Sequence, residues 1–334
     1  MLLVLKQMAA HTKVMQPVSY VWSRPHRRYV ALIIVTIALV ILLPQIPMLA
    51  QSWQLLRAVS VSAIVGSLIC LGLTFPLAAS TYHYLARRRL VYRRTLLVAL
   101  ANMFTNRLLP AGTGSIATFF VYLRKRKHTV SQATSVVAVN NFLGLVSHSV
   151  LLLGLLLVDP AGFGGFTVPR LQPSLVAVIV IGLAVSAIVI VRNKAWHWRL
   201  QTFISSLRRD LSFYGRFPLR LTGAFVTSTL LTVMNALALW YCVQAVHGSL
   251  SVLAALIVFT IGMIAGTATP TPGGLGGTEA GLLAALIGYH VPSQTALAAV
   301  VLYRLLSYWL TLGLGAITYI YVERRGYLHR FEPI

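Results

Sequence analysis

The sequence predicts an all-α polytopic membrane protein, with six transmembrane helices and two re-entrant helical hairpins arranged as an inverted repeat. The 334-residue chain is 57% hydrophobic and only 10% charged, and its mean hydropathy is +0.80, whereas soluble domains carry about 25% charged residues. Several apolar runs approach the ~20 residues that one membrane crossing needs. Two further apolar stretches are each broken in the middle by Pro and Gly, and these stretches predict the hairpins.

The full spans follow from the length and position of the uninterrupted apolar runs. Each run is bounded by polar or basic residues and is near the length that a bilayer demands. They are predicted, in order, at 29 to 50, 57 to 82, 129 to 158, 175 to 191, 221 to 246 and 294 to 322.

The two broken stretches are 95 to 123 and 251 to 288. In the first, the halves 95 to 109 and 111 to 123 are too short to cross an apolar core of about 30 Å at about 1.5 Å per residue. Non-helical backbone at membrane depth must be covered by protein or line a watery cavity, so we expect each tip to be buried among other helices. Two thin full spans remain the alternative, because both arrangements return the chain to the same side.

The charge distribution predicts the orientation. The formal net charge of +23 arises from 28 Lys and Arg against five Asp and Glu. In a soluble protein this excess would favour nucleic acid, but here the basic residues cluster between apolar runs, and we expect no nucleic-acid partner. The basic loops fall on one side of the predicted topology, which the positive-inside rule makes cytoplasmic. We therefore expect a multi-pass protein of a bacterial inner membrane, with both termini in the cytoplasm.

The order of span, hairpin and span occurs twice, and one extra crossing inverts the second copy relative to the first. Opposed repeats of this kind are the usual pointer to a transporter's binding site. The predicted organisation is a basic cytoplasmic segment (1 to 28), one membrane domain (29 to 323) holding repeat one (57 to 158), a linking span (175 to 191), an interfacial basic helix (193 to 217) and repeat two (221 to 322), and a cytoplasmic tail (324 to 334).

Glu279 is the only acid inside a predicted membrane segment, and intramembrane acids are costly and by default functional. The alternative is that Thr278 caps the following half-helix and Glu279 only complements its positive end. Arg304, in the last span, and Arg107, next to the first tip, each need a partner at membrane depth. For Arg107 the alternative is an extended side chain that reaches the interface.

Each hairpin tip precedes a half-helix, whose N-terminus attracts anions. The alternative is that the glycines only permit tight turns and close packing. The tips "PAGTGS" and "PGGLGG" share a Pro, Gly, Gly pattern. The predicted substrate-binding set consists of Glu279, Arg304 and Arg107 together with Asn106, Pro110, Gly112, Gly114, Pro272, Gly273, Gly274, Gly276 and Thr278. The candidate supporting polar residues are Asn140, Asn141 and His148. The alternative for these three is that they only form hydrogen bonds between helices.

No constellation of residues points to an enzyme, because the histidines show no metal spacing, the acids never pair and no nucleotide loop is present. We expect no cofactor and no metal. Transport without an ATP site would run downhill or on a gradient, with a proton or another ion as the candidate coupling partner. The oligomeric state is left open.

The stretches "TPTPGGLGGTEAGLLAAL" and "ALAAVVLYRLLSYWLTLGLGA" resemble the flippase-like membrane domain of bacterial lysylphosphatidylglycerol synthases, over about 29 to 322. Where that family often has an acid and a base in the first hairpin, this chain has Ser115 and Thr118. The resemblance implies a lipid with a phosphate-bearing headgroup, either phospholipid, aminoacyl-phospholipid or polyprenyl-phosphate. Because the chain ends shortly after Glu323, where the full synthases continue into a soluble domain, we expect no synthase activity.

Three functions follow as hypotheses. The first is a lipid flippase, whose headgroup site lies at the hairpin tips. The second is a gradient-driven transporter of a small soluble anion, which opposed hairpins fit equally well. The third is a membrane anchor that holds a cytoplasmic enzyme on the basic surface formed by 192 to 220.

Overall fold

The computed structural model describes residues 57–109, 112–158, 213–269 and 271–328, and all of them belong to a single compact unit. The following predictions lie outside the described residues: the segment 1 to 28, the spans at 29 to 50 and 175 to 191, Pro110, the interfacial helix apart from its last residues, and the tail after 328.

The described residues fold into helices joined by short turns. In chain order these are α1 (Val61–Leu85), α2 (Tyr92–Leu108), α3 (Thr113–Lys125), α4 (Val130–Val158), α5 (Pro218–Ala245), α6 (Val252–Ala268), α7 (Gly277–Gly288), α8 (Ser293–Arg304), a π-helical segment (Leu305–Leu310) and α9 (Thr311–Arg324).

Within this part of the chain, four helical runs are long and apolar enough to cross a membrane: α1, α4, α5 and the continuous run Ser293–Arg324 formed by α8, the π-helical segment and α9. They coincide with the predicted spans at 57 to 82, 129 to 158, 221 to 246 and 294 to 322. Large apolar side chains such as Ile69, Leu145 and Ile317 are exposed along them. Exposure of this extent suits contact with lipid.

The remaining helices, α2 with α3 and α6 with α7, occupy the two broken stretches. Helix α6 begins where the hydroxyl of Ser251 accepts the backbone N–H of Ala254 at 3.1 Å, and it ends at Ala268 before the Pro/Gly loop. Since α7 has only 12 residues, it is about 18 Å long. That length is too short for an apolar core of about 30 Å.

Glycines hold α6 and α7 together as an antiparallel pair. A Cβ atom on Gly262 would meet the side chain of Leu282, and one on Gly281 would lie 2.6 Å from the Cβ of Ala265. Two stretches of Gly-x-x-x-Gly, at 262–266 and 277–281, face each other across this contact. Small residues at this spacing let helix backbones approach closely in a membrane.

Neutral hydrogen bonds and one glycine hold α2 against α3. A Cβ atom on Gly114 would overlap the carbonyl of Thr105. The hydroxyls of Thr105 and Thr118 lie 2.7 Å apart, and the amide of Asn102 donates to the hydroxyl of Ser115 at 3.2 Å. The two positions where the resembling family often carries charges therefore bind neutral partners on the facing helix.

Helices α1 and α5 cross through two reciprocal contacts. A Cβ atom on Gly66, near the start of α1, would lie 2.7 Å from the ring of Tyr241, near the end of α5. A Cβ atom on Gly223, near the start of α5, would lie 2.9 Å from the ring of Tyr84, near the end of α1. The helices are therefore antiparallel. The two glycines and the two tyrosines are also separated by the same number of residues along the chain.

The turns that follow α3 and α7 have the same conformation. In the first, Lys127 has a φ of 61°, and the next residue donates its N–H to the carbonyl of Leu123 at 3.2 Å. In the second, His290 has a φ of 61°, and the next residue donates its N–H to the carbonyl of Leu286 at 3.1 Å. A left-handed residue with this backbone bond is a common helix C-terminus.

The buried apolar side chains form two clusters. One lies mainly among α5, α6, α7 and α8 and includes Leu239, Ile257 and Leu286. The other lies among the C-terminal part of α1 and helices α2, α3 and α4, and includes Leu85 and Phe119. Each hairpin is thus built into its own cluster.

His128, in the turn after α3, is buried and neutral. The backbone N–H of Arg88 donates to its Nε2 at 3.3 Å, so the ring proton sits on Nδ1, 3.1 Å from the carbonyl of Leu123. Burial lowers the pKa of His128, and the charges of Arg88 and Arg87 lower it further.

We expect the protein to lose stability as the pH falls from 7.5 to 5.5. The unfolded chain takes up a proton at His128 near its ordinary pKa of 6.5, whereas the folded chain resists protonation. The loss is at most about 1.4 kcal/mol per pH unit. Thermal unfolding in detergent should show the trend, and His128→Gln should flatten it. An equal slope in the variant would contradict this role.

Candidate functional site

The loop between α6 and α7 turns through glycines in the left-handed region. Gly273, Gly274 and Gly276 have φ values of 61°, 67° and 84°, which a residue with a side chain adopts only at a cost. At Gly273 the packing also requires glycine, because a Cβ atom would lie 2.5 Å from the ring of Tyr308 and 3.4 Å from Cδ of Arg107. The tip of hairpin two (α6 and α7) therefore rests on the end of α2, which with α3 forms hairpin one.

Glu279 lies in the first turn of α7 and is 7% exposed. Its Oε2 accepts the backbone N–H of Gly276 at 2.8 Å, and its Oε1 accepts Nε of Arg304 at 2.7 Å. Gly276 is the N-cap residue, so the predicted cap at Thr278 is wrong, whereas the other half of that alternative, in which Glu279 complements the start of the helix, agrees with the bond from Gly276. Thr278 instead lies inside the first turn and packs against Gly266.

Arg304 lies at the end of α8 and is 5% exposed. The chain then enters the π-helical segment, a local departure that is frequent at functional sites. The guanidinium of Arg304 lies over the ring of Tyr308, with 4.7 Å between Cζ and the ring centroid. The ion pair and the ring together hold the Arg304 side chain in one position.

Arg107 reaches the same ring from hairpin one. Its Cζ lies 5.1 Å from the centroid of Tyr308, its Nη2 donates to the carbonyl of Ser307 at 3.0 Å, and the hydroxyl of Tyr308 donates back to its backbone carbonyl at 3.3 Å. Both arginines and Glu279 are thus gathered around one aromatic side chain. The site contains two cationic groups and one anionic group.

Four buried polar atoms of the two arginines and of two asparagines on α2 have no hydrogen-bond partner among the described residues: Nη2 of Arg304, Nε of Arg107, and the Oδ1 atoms of Asn102 and Asn106. Buried polar groups in proteins are rarely left unpaired, and each unmet bond carries a desolvation cost. Two of these atoms are cationic donors and two are neutral acceptors. The two cationic donors suit an anionic oxygen, and the two neutral acceptors at hairpin one suit a hydroxyl.

The other predicted substrate-binding residues belong to the two hairpin tips. Gly112, with a φ of 72°, is the N-cap of α3, and a Cβ atom there would lie 3.9 Å from Oδ1 of Asn106. Pro272 lies in the tip of hairpin two and Pro110 outside the described residues. Gly112 and Gly114 therefore lie beside Asn106, whereas Gly274 packs against Gly266 and Thr278.

The candidate supporting residues lie along α4. Asn140 is half-buried and Asn141 is exposed. Nδ1 of His148 bonds to its own helix, at the carbonyl of Gly144 (2.8 Å), and its ring faces that of Phe259 of α6, with 6.3 Å between the centroids and 27° between the planes. A hydrogen bond between helices was expected at His148. Ser147, the preceding residue, makes such a bond instead, because its hydroxyl accepts that of Thr229 on α5 at 3.1 Å.

Sequence reasoning missed Tyr308, Ser307 and Asn102. The available signal for Tyr308 was its place four residues after Arg304, which puts the two on one helical face. Nothing in the sequence marked Ser307, because its contribution is a backbone carbonyl. Asn102 gives no signal beyond being a polar residue in a short half-helix.

A comparison with curated proteins found no match. Residues 29–315 match the family described as "Lysylphosphatidylglycerol synthase TM region". The matched region contains all the described helices up to the beginning of α9, and with them both hairpin stretches and the Glu279–Arg304 pair. The resemblance that the sequence motifs predict is confirmed, and the chain belongs to the lysylphosphatidylglycerol synthase TM region family.

Proposed function

We propose that this protein moves a lipid with a phosphate-bearing, anionic or zwitterionic headgroup between the leaflets of a bacterial inner membrane. The headgroup sits at the meeting point of the two hairpin tips, and the acyl chains stay in the bilayer. The observation that carries the proposal is the position of Arg107 and Arg304 on one Tyr308 ring, where each guanidinium group has a donor that meets no acceptor from residues 57–109, 112–158, 213–269 and 271–328. Such donors suit phosphate oxygens.

The proposed topology has six spans and two re-entrant hairpins in an inverted repeat, with both termini cytoplasmic. Two features support it. Helices α2 and α6 have 17 residues each, and the Gly/Tyr contacts of α1 and α5 are reciprocal. In this topology the hairpins enter from opposite sides, so a headgroup at their tips is reachable from either leaflet as the repeats rock.

Leaflet exchange in liposomes tests the proposal. Purified protein is reconstituted with a trace of a headgroup-labelled fluorescent phospholipid, and an impermeant reductant bleaches the label in the outer leaflet. We expect the protected fraction to fall from about half toward zero as inner-leaflet lipid crosses. Protection equal to that of protein-free liposomes would contradict a flippase. Uptake of soluble phosphate without lipid exchange would favour the small-anion transporter.

A further inference from the structure

The site carries a net positive charge, and this charge affects which lipid the proposed flippase accepts. Arg107 and Arg304 face a single carboxylate, that of Glu279. The other acid in the described part of the chain is Glu323, near the end of α9 beside Arg324 and Arg325. The nearby side chains of hairpin one are neutral, and Ser115 and Thr118 bond to an amide and a hydroxyl.

The carboxylate of Glu279 is already engaged at both oxygens. One accepts Arg304 and the other accepts the backbone of Gly276, and the side chain is 7% exposed. An ammonium group that bound this carboxylate would share oxygens that already accept two donors, and it would lie beside two guanidinium groups. Like charges at such separations repel strongly where water is excluded.

The unpaired atoms favour an anionic ligand over a cationic one. Within the described part of the chain, Nη2 of Arg304 and Nε of Arg107 are cationic donors without acceptors, and guanidinium groups pair well with phosphate oxygens. Oδ1 of Asn102 and of Asn106 meet no donor from the same residues. A hydroxyl on the headgroup could donate to an amide oxygen without adding charge. An ammonium group could donate too, but its positive charge would be repelled by the two arginines.

We infer that the site selects a phosphodiester lipid whose headgroup carries hydroxyl groups and no ammonium, and that it rejects the aminoacylated, cationic form of the same lipid. That the ligand is a lipid rests on the proposed function. The selection by charge rests on the side chains of the site alone. A phosphodiester contributes one negative charge, which neutralises the excess of one cation among Arg107, Arg304 and Glu279. Phosphatidylglycerol has this chemistry, and lysyl-phosphatidylglycerol adds two ammonium groups to it.

Binding by the full-length protein in detergent, measured by native mass spectrometry, tests the inference. Phosphatidylglycerol and lysyl-phosphatidylglycerol of matched acyl chains compete for the protein. We expect the first to be preferred by at least about tenfold. Arg107→Gln should reduce that preference, whereas Arg220→Gln, which removes a charge stacked on Phe217 away from the site, should preserve it.

Asn106→Asp provides the converse variant, because it replaces an amide by a carboxylate of the same shape next to Arg107. It should shift the preference toward lysyl-phosphatidylglycerol by about tenfold. Equal or tighter binding of the lysyl lipid by the unmodified protein, or no binding of either lipid, would overturn the inference. Selective binding without leaflet exchange would instead overturn the flippase and leave the charge selection standing.

Deacylated phosphatidylglycerol, a soluble phosphodiester with the same headgroup, separates the two sources of this chemistry. We expect it to compete only weakly, because it lacks acyl chains that stay in the bilayer. Competition as strong as that of the lipid would support the charge selection and overturn the assignment to a lipid.

Discussion

Glu279→Leu is expected to lower the free energy of unfolding by about 3 to 5 kcal/mol, which is the usual cost of leaving one partner of a buried ion pair unpaired. The variant leaves the Arg304 guanidinium without its carboxylate in a site that is 5% exposed, and it frees the backbone N–H of Gly276. Thermal or denaturant unfolding in detergent measures the loss.

The double variant Glu279→Leu/Arg304→Leu is the matched control. Removing both charges removes the uncompensated one, so the double variant should be clearly more stable than the single variant, with a coupling of roughly 2 kcal/mol or more. Additive losses would show that the two side chains do not depend on each other. Lipid exchange by the double variant at the unmodified rate would show that the pair serves only to balance charge.

Gly114→Ala is expected to cost roughly 3 kcal/mol or more, because overpacking that cannot relax is destabilising. The new Cβ atom would overlap the backbone carbonyl of Thr105, and backbone cannot rotate away as a flexible side chain can. Separation of α2 from α3 would also move Arg107 away from Ser307, so leaflet exchange should fall with stability.

Gly144→Ala is the control for that substitution. Gly144 lies within α4, and a Cβ atom there would meet nothing within 4 Å. Alanine should be neutral or stabilise by up to about 1 kcal/mol, because glycine is unfavourable in a helix. If Gly114→Ala and Gly144→Ala have the same melting temperature, the close contact within hairpin one does not exist as described.

Much of the helix pattern followed from the sequence because apolar length and Pro/Gly interruptions are local signals. The half-helices 95 to 109 and 111 to 123 correspond to α2 and α3, whose bounds are Tyr92–Leu108 and Thr113–Lys125. The need of Arg304 for a partner also followed, since the membrane-embedded part of the sequence offers only one acid. The pair is present, with a distance of 2.7 Å between Nε and Oε1.

The rest of the site depends on contacts between residues distant in the chain. Arg107 and Ser307 are 200 residues apart, and no periodicity links them. The π-helical segment that presents Ser307 and Tyr308 has no reliable sequence signal, because a single turn with i→i+5 bonds inside an α-helix needs no particular residue type. The same is true of the start of α7 at Gly277, where a threonine cap at Thr278 was a reasonable alternative on composition.

Photo-crosslinking of a headgroup most directly tests whether lipid enters the hairpin tips. A phosphatidylglycerol with a diazirine in its headgroup is incorporated into liposomes with the purified protein, irradiated, and the labelled peptides are identified. Labelling of the peptides that contain Arg107 and Tyr308, reduced by excess unlabelled phosphatidylglycerol, is the expected result. Labelling confined to the basic residues 87 to 94 and 324 to 325, with none at Arg107 or Tyr308, would contradict a headgroup site between the hairpins.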